Sequence, residues 1–102
     1  MAILGIDIGG SGIKGALVDT SSGTLASDRI RFSTPEKPKP KLVANIIVDI
    51  VKKLNYKGII GVGFPGVVRH GITFTAANIH KDWIECDANS LVSKATGYPT
   101  FF

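Results

Sequence analysis

An α/β domain built on a mixed sheet is the fold class this sequence predicts, and three observations predict it. Apolar runs of strand length open the chain, separated by glycine and by Ser/Thr turns. One long apolar stripe at helical spacing follows them. Shorter apolar runs then lead into a second helical pattern. The expected order is three strands, a helix, a strand, a hairpin, a helix and a last strand.

Each element has its own signal. Ile3 to Ile8 reads as a buried strand, with Ile3, Leu4, Ile6 and Ile8 apolar. Gly9-Gly10-Ser11-Gly12 interrupts it, and Ile13 to Asp19 reads as its antiparallel partner. Thr20-Ser21-Ser22-Gly23 is a turn by composition, and residues 24–33 alternate loosely, as in a half-exposed strand. Residues 34–41 are rich in Pro and Lys and read as a linker or loop. Leu42, Val43, Ile46, Ile47, Ile50, Val51 and Leu54 then form one stripe, with Asn45, Asp49, Lys52 and Lys53 opposite. Pro40 suits the first turn of that helix. Its many β-branched residues require support from packing against a sheet.

Gly58 to Phe64 is a further apolar strand, broken by Pro65-Gly66. Val67-Val68 and Ile72-Thr73-Phe74 flank Arg69-His70-Gly71 as a hairpin. Asp87 is placed to cap a short helix through Ala88, Leu91, Val92 and Ala95, ended by Gly97 with Pro99 beyond. Thr100-Phe101-Phe102 begins another apolar strand, which suggests a chain cut short.

Composition narrows the function classes. A chain of 102 residues fits one small domain, and 44% hydrophobic with 20% charged residues is a globular balance. The net charge of +4 includes Lys37, Lys39 and Lys41, followed by Lys52, Lys53 and Lys57. These lysines are either a solvated face or one that attracts a polyanion. Aromatic residues do not interleave with them, so a stacking platform for nucleic acid is not expected. Cys86 is alone, which rules out an intrachain disulfide and a cysteine metal cluster. No apolar run has membrane-spanning length, and the N-terminus lacks a secretory pattern. A reducing, cytoplasmic setting without membrane or nucleic-acid partners is expected.

Gly5 to Gly15 is the most informative segment. Asp7 ends a buried strand between Ile6 and Ile8, where a carboxylate has no packing role. Gly9, Gly10 and Gly12 let backbone amides crowd one point, Ser11 adds a hydroxyl and Lys14 a charge. The cluster could be a turn that needs glycine for geometry alone, or a phosphate nest. Asp7 favours the nest and could hold Mg²⁺, which keeps several of its waters. A dinucleotide fingerprint would open a helix, whereas Ile13 to Asp19 reads as a strand. A P-loop would need Ser or Thr after Gly-Lys, which is absent. A phosphate-binding hairpin between antiparallel strands remains.

Asp7-Ile8-Gly9-Gly10-Ser11-Gly12-Ile13-Lys14 resembles the first phosphate motif of the sugar kinase, heat-shock and actin superfamily. The longer run Gly5 to Gly15 is similar to the ROK family, and within it to polyphosphate glucokinases. Two later segments support the likeness. Gly61-Val62-Gly63-Phe64-Pro65-Gly66-Val67-Val68 by itself is a core strand and a turn, and Thr75 to Trp83 by itself is a loop with a core tryptophan. Together they resemble the ROK sugar site, which maps Gly66 and Asn78, with Val67 beside them, as substrate-binding candidates. Ala77 stands where ROK kinases more often have Pro. His70 and His80 show no metal-ligand spacing and read as surface or turn histidines.

The resemblance covers essentially the whole chain and implies an actin-like, RNase H-like ATPase fold, of which residues 1–102 would be an incomplete N-terminal lobe. It implies phosphoryl transfer from polyphosphate or ATP, with Mg²⁺, to the 6-hydroxyl of glucose. Gly9, Gly10, Ser11, Gly12 and Lys14 would bind phosphate, and Asp7 the metal through water. Family members are commonly homodimers. The family's catalytic base is an Asp in an Asn-Asp pair after the next strand, and no such pair occurs here. The chain alone is therefore expected to be inactive, and the intact protein a glucokinase. A non-catalytic sugar-sensing or phosphate-binding module is the alternative. A DNA-binding helix-turn-helix ahead of the first strand is not expected, because Met1 runs straight into it. A chaperone or cytoskeletal ATPase would share only the first motif.

Overall fold

The computed structural model describes residues 2–75 and 79–102. Strands β1 (Ala2–Ile8), β2 (Gly12–Asp19) and β3 (Ile30–Ser33) form an antiparallel meander. Helix α1 (Pro40–Lys53) crosses to β4 (Ile60–Gly63), which pairs in parallel with β1. Helix α2 (Ala88–Thr96) leads to β8 (Thr100–Phe101), parallel to β4. The sheet order is β3-β2-β1-β4-β8. A parallel pair needs a long crossover, and the two helices belong to those connections.

Alternation along β1 sets the layers. Leu4, Ile6 and Ile8 are buried, while Asp7 is exposed on the opposite face. The buried set packs with Ile13, with Val43, Ile47 and Ile50 of α1, with Ile60 and Val62 of β4, and with Val92 of α2. This burial gives the β-branched α1 its support; its isolated propensity is modest. Gly15 is what allows the close approach, since a Cβ there would lie 2.6 Å from Ile50 Cγ2. Among the described residues both helices cover this face. No helix is long and apolar enough to cross a membrane.

Several boundaries differ from the sequence expectation. The strand expected over 24–33 is confined to Ile30–Ser33, and Leu25 makes only an isolated bridge to Val18. Upstream, the Ser27 hydroxyl and the Ala26 amide bond the Leu17 backbone in place of a continuous ladder. The hairpin β5 (Val68–Arg69) and β6 (Ile72–Thr73) forms, with His70 and Gly71 both at positive φ in its turn. A third short strand, β7 (Cys86–Asp87), joins it to make a second sheet. A 3-10 turn at Lys81–Trp83 precedes β7.

Trp83 fixes how these parts meet. Its ring is fully buried and packs 4.8 Å from Phe64 and 6.1 Å from Phe102, centroid to centroid. Its Nε1–H donates to the Pro38 carbonyl at 2.8 Å. That bond joins the proline-rich segment to the end of the sheet, so residues 34–39 are a tethered strap with Pro38 buried. The tryptophan is a core residue, as its composition context suggested, and its indole N–H carries the positional information.

Candidate functional site

β1, β4 and β8 run parallel, so their C-terminal ends open on one side of the sheet. In open α/β sheets, ligands gather outside the carboxyl ends of strands. The loop after β1 lies there, together with the turn after β4.

The glycine loop is a closed hairpin connection. The Gly9 amide donates to the Gly12 carbonyl at 2.9 Å. Two residues that the sequence reading did not single out hold it from outside. Arg31 of β3 donates through Nη2 to the Ser11 carbonyl at 2.7 Å. Thr34 donates through Oγ1 to the Gly9 carbonyl at 2.7 Å, and its amide reaches the Ser11 carbonyl at 3.3 Å. The carbonyls of Gly9, Ser11 and Gly12 are thus taken up by protein donors. Gly10 and Ser11, whose amides make none of these bonds, are exposed, as an anion nest requires. Gly12 lies against the Arg31 guanidinium, and a Cβ there would fall 2.6 Å from Arg31 Nε, so a side chain would displace the arginine. The sequence signal for the clasp was weak: Arg31 and Thr34 flank one short strand end, and only the β2–β3 register brings them to the loop.

Register aligns the charged groups. Asp7 faces Lys14 across the β1–β2 pair, Lys14 faces Arg31 across β2–β3, and Asp7 faces Gly63 across β1–β4. The resulting row is Arg31, Lys14, Asp7, Gly63. Two of its members, Asp7 and Lys14, line a cleft of about 380 Å³ together with Val18, Leu25 and Arg29. Among the described residues the one approach of a basic nitrogen to a carboxylate within salt-bridge distance is His80 Nδ1 to Asp82 Oδ2 at 3.6 Å, so Asp7 and Lys14 face each other without forming an ion pair. Gly63 keeps the space beside Asp7 open; a Cβ there would come 3.4 Å from Oδ1.

This donor set bears on the metal. No group of three or more His, Cys, Asp or Glu residues among the described ones could cage an ion. One exposed carboxylate beside the glycine loop would fit Mg²⁺ that keeps most of its waters. It does not fit a dedicated all-protein site.

The second segment is tightly built. Gly66 N–H donates to the Phe64 carbonyl at 2.9 Å, and a Cβ at Gly66 would collide with the Thr75 carbonyl. Val67 N–H donates to Thr75 Oγ1 at 2.8 Å, and the Val67 side chain is exposed. Gly66 and Val67 therefore present main chain at the end of β4. Asn78, the third substrate-binding candidate, lies outside the described residues. His80 begins the 3-10 turn, its Nδ1 accepting from the Asp82 amide at 3.0 Å, and His70 sits in the hairpin turn. Both match the reading of turn histidines.

The ROK family profile matches residues 3–102. The chain belongs to the ROK family. It is 45% identical over 93 residues to the polyphosphate glucokinase of Mycobacterium tuberculosis, covering 91% of this chain and 35% of that protein. The crystal structure of an inorganic polyphosphate/ATP-glucomannokinase from Arthrobacter superposes with a TM-score of 0.93 at 36% identity, covering 98% of this chain and 42% of that one. A ROK glucokinase from Streptomyces griseus, solved with glucose and AMPPNP, gives 0.81 at 26% identity, covering 98% and 32%. This ROK chain thus spans about a third of the length of the curated relatives it matches. Its mixed sheet, antiparallel at the N-terminal strands, is that of the family's actin-like fold.

Proposed function

We infer that the intact protein transfers a phosphoryl group from polyphosphate or ATP to the 6-hydroxyl of glucose, and that this chain supplies the phosphate loop and part of the sugar site. The observation that carries the reading is the clasped glycine loop with Asp7 at its mouth and Lys14 opposite. Its kinship with proteins named polyphosphate glucokinase and polyphosphate/ATP-glucomannokinase supports the donor and the acceptor.

Phosphoryl transfer asks a protein mainly for positioning and charge neutralisation. The amides around Gly9, Gly10, Ser11 and Gly12 would orient the transferred phosphate, and Lys14 would offset its charge. Asp7 would hold Mg²⁺ through water; the ion neutralises phosphate oxygens when bound. Main chain at Gly66 and Val67, with Asn78, would receive the sugar. The base that takes the hydroxyl proton is expected beyond Phe102, in the Asn-Asp pair of the family. The intact protein is expected to act in the cytoplasm as a homodimer.

A coupled assay for glucose 6-phosphate tests this with the full-length protein, glucose, and each donor in turn. Product with polyphosphate or ATP is expected. Activity confined to another hexose would refute the acceptor. Glucose binding without product under either donor would favour the non-catalytic sugar-sensing module instead.

A further inference from the structure

Residues 34–38 bridge two parts of the candidate site. At one end, the Thr34 hydroxyl donates to the Gly9 carbonyl at 2.7 Å and the Thr34 amide to the Ser11 carbonyl at 3.3 Å. At the other, the carbonyl of buried Pro38 accepts from Trp83 Nε1 at 2.8 Å. Trp83 is itself locked. Thr73 Oγ1 donates to its carbonyl, and its ring packs 4.8 Å from that of Phe64. Phe64 leads through Pro65 into Gly66 and Val67, and Gly66 N–H donates to the Phe64 carbonyl. The strap thus runs from the glycine loop to the tryptophan that packs against the start of the proposed sugar-site turn.

Its middle is stiff and lightly supported. Pro35 and Pro38 each fix φ, and Pro40 follows at the start of α1. Proline-rich segments act as semi-rigid spacers. Glu36 and Lys37 are exposed. A cavity of about 440 Å³ lies between residues 35–38, Gly10 and the segment Ile79 to Lys81. A stiff strap held at its ends over a cavity has no packed middle to absorb a shift, so moving one end moves the other.

We propose that Thr34 and Trp83 are positioning residues that make sugar binding and donor binding favour each other, with the strap as the link. This rests on the kinase reading above. With the strap seated, Thr34 takes up the Gly9 and Ser11 carbonyls and leaves the Gly10 and Ser11 amides for a donor phosphate. A hexose against the Gly66 and Val67 main chain bears on Phe64 and through it on Trp83, and so favours the seated strap. Each ligand then shifts the same equilibrium, and linkage makes the effect mutual. The β1–β4 ladder joins the same two regions. A continuous ladder has no second position to occupy, whereas a strap held by two side-chain bonds does. Arg31 also holds the Ser11 carbonyl, but from β3 and not through the strap.

The test is equilibrium binding of ATP and of long-chain polyphosphate, each with Mg²⁺, to the full-length protein, with and without saturating 6-deoxyglucose. That analogue lacks the accepting hydroxyl, so no turnover intervenes. Wild type is expected to bind donor about tenfold more tightly when the sugar is present. Thr34→Val and Trp83→Phe each remove one hydrogen-bond donor, worth about fivefold, so the factor should fall to about two. Thr34→Ser keeps the hydroxyl and should retain about tenfold. Arg31→Gln should weaken donor binding equally with and without sugar, leaving the factor intact. A merely structural loss lowers single-ligand affinities without changing that factor. If Trp83→Phe no longer binds sugar, the two Thr34 variants decide. The link is overturned by a wild type in which the sugar has no effect, or by a factor retained in Thr34→Val or in a sugar-binding Trp83→Phe. A factor lost in Thr34→Ser, or lost equally in Arg31→Gln, overturns it too. The two readings separate cleanly. Glucose 6-phosphate made by a wild type without the coupling sinks the strap and leaves the kinase reading. Thr34-dependent coupling without product from glucose does the reverse.

Discussion

Gly12 shows how much depends on one missing methyl group. A Cβ there would press on the Arg31 guanidinium, and Arg31 cannot swing aside without giving up the Ser11 carbonyl. Gly12→Ala is therefore expected to displace Arg31 and cost about 1 kcal/mol in urea unfolding, the net worth of a hydrogen bond, and to weaken donor binding with it. A variant as stable as wild type would show that Arg31 relaxes freely. Cys86 sits at the other extreme, with a local environment that acts through its proton. Partial burial, then the neighbouring Asp87 charge, raise its pKa above the usual 9.0, and the Thr73 hydroxyl works the other way. The folded state thus keeps the thiol proton where the unfolded chain would lose it. Stability is unaffected well below 9.0 and falls as pH rises from there through the raised value. Near neutral pH, iodoacetamide should modify Cys86 more slowly in the folded chain than in urea, as mass spectrometry would show. Equal rates would contradict the shift.

Elements with local signals were legible, and those held by distant partners were not. α2 illustrates the first group. Asp87 accepts from the Ser90 amide at 3.2 Å, and Gly97 closes the helix in the left-handed region, both as the sequence implies. Asp87→Ala should lose about 1 kcal/mol of stability in urea, and Asp87→Asn much less; equal losses would mean that the cap bond contributes little. α1 was legible through its stripe, although it has no side-chain cap and no acidic residue in its first turn. β7 belongs to the second group. Two residues carry no periodicity, and Cys86 and Asp87 become a strand only because Ile72 and Thr73 lie beside them. The same holds for the shortened β3, where side chains of the preceding loop take over the ladder bonds of β2.

At the scale of the molecule, the described residues carry the proposed phosphate loop, the carboxylate proposed for the metal and part of the proposed sugar site, while the proposed base is expected beyond Phe102. The purified 102-residue chain is accordingly expected to give no glucose 6-phosphate with polyphosphate or ATP. Turnover above a no-protein control, abolished by Asp7→Asn, would refute this and move the base into these residues. The family and the glycine loop between two strands were legible in the sequence alone, because glycine freedom, a stranded carboxylate and helical periodicity are properties of neighbours along the chain. Only the tertiary structure decided which residues serve the loop. Arg31, Thr34 and the Trp83–Pro38 bond join positions between 20 and 45 residues apart. Such contacts exist only after strand register and core packing have fixed where each segment lies, and no local pattern records that choice.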